Sequence, residues 1–327
     1  MKKDIRIASL LPSATEIVCA LGLEKNLVGI THECDFPASI VNLPPLTASR
    51  ISHSTMSSKE IDHAVRSQLD GHGSIYDLDT KQLTELKPDL IITQELCDVC
   101  AVSYKIVKQA ARMYVANAQV ISLEPNTLED IFENIKTIGE ICGVSEKANE
   151  VVESLQNRLE NIRLKIETEV NPQSKIPNPK SKIFMMEWLE PPFAPGHWVP
   201  EQVEIAGGMA LMGEAGKKSV ATTYEQIIES QPDILVLIPC GYYTEDILRQ
   251  LPNTMFPEAF KDIPAVRNGE IWALDATSYF SRPAGRVVDG VEILAKIVHP
   301  EIFGQPSEKE AVKVSANSLK FAGGKIL

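Results

Sequence analysis

Short apolar runs alternate with amphipathic segments along most of the chain. Predicted strands occupy residues 5–10, 27–30, 90–92, 120–123, 182–187, 232–236 and 269–274. Gly22 and Gly207 follow predicted helices, where glycine commonly ends a helix. This alternation is typical of α/β proteins with mostly parallel sheets.

The two halves of the chain carry the same signals in the same order. A Pro-Asp pair precedes an apolar strand at residues 88–92 and again at 232–236. A further strand follows each of them, at 118–123 and at 269–274. We therefore predict two similar Rossmann-like lobes, although any two α/β domains share part of this pattern.

A long amphipathic helix is predicted between the halves. Its apolar positions recur every three or four residues, at Val144, Ala148, Val151, Val152, Leu155, Leu159, Ile162, Ile166 and Val170. At a rise of 1.5 Å per residue it would extend roughly 40 Å, enough to connect two domains. A coiled-coil arm is the alternative.

These signals define the predicted domain organisation. An N-terminal α/β lobe covers residues 1–143 and the bridging helix covers 144–171. A C-terminal α/β lobe covers 172–304, beginning with a proline-rich linker at 171–181. The polar segment 305–327 is predicted to be a loosely held tail.

Two predicted helix starts have the spacing of a capping box, in which a hydroxyl and an acidic side chain satisfy the first backbone N–H groups. One pairs Ser13 with Glu16, and the other pairs Ser57 with Glu60.

Composition excludes several classes of protein. The chain has 32 Lys and Arg against 44 Asp and Glu, a net charge of −12, and its basic residues are not clustered, so nucleic-acid binding is not expected. No apolar stretch reaches the roughly 18 residues of a membrane span.

Location and assembly are predicted from the same features. Polar residues at 12–16 interrupt the apolar run that a signal peptide needs, and six cysteines are too few for a disulfide scaffold. We predict a cytoplasmic monomer, or a periplasmic protein if the start of the sequence is incomplete.

Ligands of open α/β sheets bind beyond the carboxyl ends of the strands. The loops at those ends carry the candidate binding residues, which include Pro12, Ser13, His32, Glu33, Cys34, Gln94, Cys97, Cys100, Trp188, Phe193, His197, Trp198, Cys240, Tyr242, Tyr279 and Arg282. Two lobes would turn these loops toward one cleft.

An aromatic and proline-rich loop covers residues 188–200. Prolines fix its backbone, so its aromatic rings would be held in place before a ligand arrives. Together with later loops it would form a flat apolar wall from Trp188, Phe193, Trp198, Tyr242, Tyr243 and Tyr279. An ordinary buried aromatic cluster is the alternative.

The cysteines of these loops allow three interpretations. Cys97 and Cys100 have the spacing of a zinc knuckle, which Cys34 with His32 or His197 would complete. The pair would alternatively be a redox centre at a helix start, or each thiol would be a small buried hydrophobe.

Arg50, Arg282 and Arg286 lie in or beside the cleft loops. Each would hold an anionic group of a ligand through two parallel hydrogen bonds, or form an ion pair between the lobes. The chain has no Gly-rich phosphate loop, no Gly-x-Ser-x-Gly and no His-Glu-x-x-His. The sequence alone supports no pair of catalytic nucleophile and base.

Several segments resemble the substrate-binding proteins for ferric siderophores and cobalamin, the class III periplasmic-type family. They are residues 7–16, 20–22, 27–29, 88–91 and 281–286. Residues 31–35, 93–100 and 196–201 are similar to its cobalamin-binding-like branch, whose members often lack export signals.

The resemblance implies two α/β lobes bridged by one long helix. It implies a non-catalytic binding protein, not an enzyme, with a corrinoid or similar metal chelate held between the lobes and no required cofactor. The ligand would lie against Pro12, Ser13, Trp188, Trp198 and Tyr242. It also implies an ABC transporter permease as a possible partner, with Glu95 and Glu225 as candidate contacts. A metal-ion-binding protein, with zinc as one possibility, and a thiol-dependent enzyme are the alternatives.

Overall fold

Two separate parallel sheets form the frame of the protein in the computed structural model. The structure describes residues 5–49, 51, 56–72, 76–94, 104–115, 117–169 and 180–322. The N-terminal lobe contains β1 (Ile7–Ser9), α1 (Pro12–Ala20), β2 (Leu27–Ile30), β3 (Thr47–Ser49), α2 (Ser58–His72), β4 (Tyr76–Leu78), α3 (Thr80–Leu86), β5 (Leu90–Thr93), α4 (Tyr104–Tyr114), β6 (Gln119–Ser122) and α5 (Leu128–Cys142).

One long helix, α6 (Ser145–Glu169), follows the N-terminal lobe. The C-terminal lobe then contains β7 (Lys182–Met186), β8 (Trp188–Leu189), β9 (Pro192–Ala194), α7 (Val199–Ile205), β10 (Met209–Ala210), β11 (Val220–Ala221), α8 (Tyr224–Ser230), β12 (Ile234–Leu237), α9 (Thr244–Gln250), β13 (Met255–Pro257), α10 (Pro264–Arg267), β14 (Ile271–Leu274), α11 (Ala276–Tyr279), α12 (Val287–Val298), α13 (Pro300–Phe303), β15 (Ala311–Lys313) and β16 (Lys320–Ala322).

The main sheets of the two lobes have equivalent strand orders. The N-terminal sheet runs β2-β1-β5-β6 and is parallel throughout. The C-terminal sheet runs β10-β7-β12-β14 in parallel and adds β15 antiparallel at its edge. Strands β5 and β12, which both follow a Pro-Asp pair, occupy the same place in the two sheets. The predicted α/β fold with two similar lobes is confirmed.

Buried apolar strands explain why these sheets form. Every residue of β5, β12 and β14 is buried, as expected for parallel strands that helices cover on both faces. Helix α6 presents Ala148, Val152, Leu155, Leu159 and Ile162 to the same core. The predicted bridging helix is therefore present, and it packs on α5 of one lobe and on α7 and α12 of the other.

The segment after residue 304 corrects one prediction. We expected a loosely held tail, but β15 completes the main sheet of the C-terminal lobe and β16 pairs with β13. Ala311, Val314 and Leu319 are buried, so this polar sequence is anchored through a few well-spaced apolar side chains.

The two predicted capping boxes have different outcomes. Glu60 accepts the backbone N–H of Ser57 at 2.8 Å, and the hydroxyl of Ser57 accepts the N–H of Glu60 at 3.3 Å, as predicted. The capping box at Ser13 is wrong, because α1 begins at Pro12 without a side-chain cap. Proline suits this first position since it has no N–H to satisfy.

No helix in the described part of the chain combines the length and the apolar character that crossing a bilayer requires.

Candidate functional site: a cleft between the lobes

A cavity of about 780 Å³ lies between the lobes. Its walls come from loops that follow β1, β2 and β5 in one lobe and β7, β12 and β14 in the other. These are the carboxyl ends of parallel strands, where open α/β sheets bind ligands.

Most of the predicted binding residues line this cavity. They are Pro12, Ser13, His32, Glu33, Gln94, Trp188, Phe193, His197, Trp198, Cys240 and Arg282. Arg50, Glu95, Cys97 and Cys100 lie outside the described residues.

Aromatic side chains form the wall on the C-terminal side. Strands β8 and β9 pair as a hairpin that sets Trp188 opposite Phe193. Trp198 is 5% exposed, and its indole N–H donates to the carbonyl of Phe280 at 2.9 Å. Because neighbouring groups fix these rings, the wall exists before any ligand binds.

Two of the predicted aromatic residues do not line the cavity. Tyr242 is fully buried in the core of the C-terminal lobe, 5.4 Å from the ring of Trp188 in an edge-to-face contact. Tyr279 packs on the other core, and its carbonyl accepts a hydrogen bond from Gln202. Tyr243, which was also predicted for the wall, lines the cavity. Tyr242 therefore supports the wall from behind.

Polar side chains characterise the N-terminal wall. The Nδ1 of His32 lies 2.7 Å from the hydroxyl of Thr47, and the rings of His32 and Tyr76 are 5.6 Å apart. Tyr76 donates its hydroxyl to Glu33 at 2.8 Å. These contacts hold the loop after β2 against β3 and β4.

Arginines of the C-terminal lobe pair with acids of the N-terminal lobe across the cleft. Arg286 makes two hydrogen bonds to Glu16, at 2.9 and 2.5 Å. Arg282 donates to the Asp35 carboxylate and, at 2.9 Å, to the carbonyl of Glu33. The predicted ion pairs between the lobes are therefore present for Arg282 and Arg286, and Glu16 serves one of them instead of capping α1.

Cys34 does not have the environment of a metal ligand. Its sulfur is buried 3.1 Å from the hydroxyl of Thr15, and burial raises the pKa of the thiol to about 12. A thiolate is the form that binds zinc. Among the described residues, no three His, Cys, Asp or Glu side chains are grouped to hold a metal ion.

Glu187 is a cavity residue that sequence reasoning missed. Its carboxylate accepts the hydroxyl of Ser219 and, at 3.2 Å, the N–H of Gly196, so it joins two loops of the C-terminal wall. Burial raises the pKa of Glu187 to about 7. Burial also lowers the pKa of His197, and the positive charge of Lys218 lowers it further. Glu187 is the last residue of a predicted strand, which is the signal that could have identified it.

Helix α2 is the second missed contribution. No cavity residue was predicted in this polar stretch, but Ile61, Asp62 and Val65 line the cavity. Ile61 is buried in the core of the C-terminal lobe, and Ser58 lies 3.3 Å from the hydroxyl of Tyr242. Helix α2 therefore crosses the cleft, and the four-residue spacing of Ile61 and Val65 was its only signal.

Comparison with known proteins identifies the family. The model of the periplasmic binding protein family matches residues 7–277. The vitamin B12-binding protein of Vibrio cholerae is 24% identical over 290 residues, which are 88% of this chain and 86% of that protein. The uncharacterized ABC transporter substrate-binding lipoprotein YvrC of Bacillus subtilis is 24% identical over 314 residues, 92% of this chain and 82% of that protein.

A solved structure supports the same fold. The periplasmic heme-binding protein of Pseudomonas aeruginosa superposes with a TM-score of 0.67 at 19% identity, covering 91% of this chain and 93% of that chain. At this identity the match concerns the fold alone.

The predicted cytoplasmic location is wrong. The matching family is one of periplasmic binding proteins, and the B. subtilis relative is a substrate-binding lipoprotein. The prediction relied on Ser13, Thr15 and Glu16, which belong to α1 of the folded lobe and carry no information about export. Fold, cleft and matches agree with the resemblance found in the sequence, and the chain belongs to the periplasmic binding protein family.

Proposed function

We propose that this protein binds a bulky, flat metal chelate between its lobes, and that cobalamin is the leading candidate. The main support for this proposal is the cavity, in which about 780 Å³ of space lies between an aromatic wall and a polar wall. Pockets of 300–1,000 Å³ with apolar walls and a few polar groups are typical of small-molecule sites. The aromatic rings would cover one face of a planar ligand.

The protein acts by binding, with no bond made or broken. Helix α6 is attached to both lobes, and Arg158 on it pairs with Asp289 and with Glu292 at 2.8 Å on α12. Together with the ion pairs across the cleft, this attachment favours a small movement of the lobes when a ligand enters.

The protein would act outside the cytoplasm and deliver its bound ligand to an ABC transporter permease. This proposal follows the V. cholerae and B. subtilis relatives. Glu225, an exposed residue at the start of α8, remains a candidate contact for the permease.

Isothermal titration calorimetry with cyanocobalamin tests the proposed function. We expect saturable binding, and we expect Phe193→Ala to weaken it by more than tenfold because the ring belongs to the apolar wall. The control is Met255→Ala, which removes an apolar side chain that is 52% exposed and outside the cavity lining. Absence of binding to cyanocobalamin would contradict the corrinoid proposal, and hemin and a ferric siderophore would then be titrated.

A further inference from the structure

One side chain of the cavity has the properties of a metal ligand. His32 lies in the loop after β2, lines the cavity and is exposed. Histidine is the commonest metal ligand in proteins, and it binds through one nitrogen of the neutral ring. The proposed ligand carries a metal ion at the centre of its ring. The surroundings of the two ring nitrogens therefore decide whether His32 could reach that metal.

The first ring nitrogen of His32, Nδ1, is held by the protein. It lies 2.7 Å from the hydroxyl of Thr47, and that hydroxyl also accepts the backbone N–H of His32 at 3.2 Å. The hydroxyls of Thr47 and Thr31 are 2.7 Å apart. Thr47 can therefore accept a hydrogen bond from a protonated Nδ1 while it donates its own hydrogen to Thr31. This arrangement leaves a lone pair on Nε2.

The second ring nitrogen, Nε2, has no hydrogen-bond partner in the described part of the chain. It lies on the other edge of an exposed ring that lines the cavity, so it faces away from Thr47 and toward the cavity. The contact with Tyr76, 5.6 Å between ring centres, also restrains the ring. A histidine that is anchored at one nitrogen and open at the other is typical of metal sites.

Other potential metal ligands among the described cavity residues are less suitable. The Nε2 of His197 is buried. The hydroxyls of Tyr76 and Tyr243 donate to carboxylates. The thiol of Cys240 is exposed, but a thiol must lose its proton before it binds a metal, whereas a neutral imidazole already has a lone pair.

We propose that Nε2 of His32 binds the metal of the chelate at an axial position, on one face of its ring. With aquocobalamin, the Nε2 lone pair forms a Co–N bond as the Co–O bond to the axial water breaks. The water leaves intact, the cobalt is neither oxidised nor reduced, and the imidazole keeps its proton on Nδ1. This inference rests on the proposed function and narrows it to chelates that have an exchangeable axial ligand.

Absorption spectroscopy with two cobalamins tests the proposal on the unmodified protein. Aquocobalamin has an exchangeable water on its cobalt, whereas cyanocobalamin holds its cyanide tightly. At neutral pH we expect the visible bands of aquocobalamin to shift on binding to the positions that free imidazole produces with aquocobalamin in solution. The bands of cyanocobalamin should not move. Bound aquocobalamin with an unshifted spectrum would overturn the proposal.

The variant His32→Ala identifies the ligand. We expect it to bind aquocobalamin without the spectral shift and with an affinity lower by on the order of tenfold or more. Its affinity for cyanocobalamin should change much less, and calorimetry of that complex shows that the cavity is intact. His63→Ala is the matched control, because His63 is an exposed histidine of α2 outside the cavity lining. This control should keep the shift.

The outcomes separate the two proposals. If neither cobalamin binds, the proposed function fails and the axial contact fails with it. If both bind and aquocobalamin shows no shift, or if the shift persists in His32→Ala, the protein is a cobalamin-binding protein and only the role of His32 is overturned.

Discussion

The two walls of the cleft are built on equivalent sheets and have different chemistry. Strands β1 and β5 of one lobe and β7 and β12 of the other occupy matching positions. Among the described lining residues, tryptophan and phenylalanine come only from the C-terminal loops, which also contribute polar residues such as Glu187, whereas the N-terminal loops contribute His32, Glu33 and Asp35. The repeated framework therefore determines where the loops meet, and the loop sequences determine what each wall recognises.

The origin of rigidity also differs between the walls. The C-terminal wall is fixed within its own lobe, by the Trp198–Phe280 hydrogen bond and by Glu187. The loop after β2 on the N-terminal side is fixed within its own lobe by Thr47 and Tyr76, and also from across the cleft, since Arg282 and Tyr243 both donate to Asp35. The N-terminal wall therefore depends in part on the lobes staying together.

Removing the largest ring of the preformed wall should have the strongest effect. Trp198→Ala deletes a buried indole and its hydrogen bond, so we expect a loss of about 3–5 kcal/mol in the free energy of unfolding. Urea denaturation measures it. Leu164→Ala, at a side chain 47% exposed on α6, is the control and should change stability by less than about 0.5 kcal/mol. If Trp198→Ala and Leu164→Ala lowered the free energy of unfolding equally, Trp198 would not be packed and hydrogen-bonded as described.

Breaking an ion pair between the two lobes should have the next largest effect on the free energy of unfolding. Glu16→Gln leaves Arg286 without its bidentate partner in a buried position, which we expect to cost about 3 kcal/mol. The control Glu133→Gln breaks an exposed pair with Lys136 and should cost under about 1 kcal/mol. Similar unfolding curves for both variants would contradict a structural role of the pair between lobes.

The shape of the C-terminal wall can be altered at one glycine. A Cβ at Gly196 would lie 2.2 Å from the backbone nitrogen of Ser219, so Gly196→Ala must push two loops apart. We expect a loss of about 2 kcal/mol and weaker ligand binding. Gly285→Ala is the matched control, because a Cβ at Gly285 would lie 3.6 Å from its nearest neighbour, an atom of the Leu155 side chain. A fully stable Gly196→Ala protein would contradict the close packing of the loops.

The charge of Glu187 should appear in the pH dependence of stability. Its pKa of about 7 in the folded protein exceeds the value near 4.3 of an unfolded glutamate, so the folded state holds the proton more tightly. This favourable contribution is present below about pH 4.3 and is lost as the pH rises to about 7.

A glutamine at position 187 cannot ionise, so the variant does not lose the stabilisation that protonated Glu187 provides. Glu187→Gln should therefore gain stability relative to the unmodified protein between about pH 4.3 and 7, by up to about 1 kcal/mol per pH unit, with no further change above pH 7. Urea unfolding at pH 5, 6, 7 and 8 measures the difference. Parallel stability curves would mean that Glu187 titrates normally.

Elements whose signals are local were predictable from the sequence. The strands β5 and β12 follow from a Pro-Asp pair and an apolar run, and α6 follows from its regular stripe. The loops that surround the cleft follow from the rule that ligands bind at the carboxyl ends of parallel strands.

Features that depend on distant partners were not predictable. Ser13 and Glu16 have capping-box spacing, but Arg286, 270 residues away, binds the carboxylate of Glu16. Tyr242 and Tyr243 are adjacent and equivalent in type, and only the folded loop decides which of them faces the cavity.

Hydrogen–deuterium exchange, with and without cyanocobalamin, most directly tests the claim that both walls contact one ligand. We predict slower exchange in the presence of the ligand at residues 11–13 and 32–35 of one lobe and at 187–198 of the other. Segments remote from the cavity, such as α13, should be unchanged. Protection confined to one lobe, or located away from the cleft, would contradict a ligand held between the two walls.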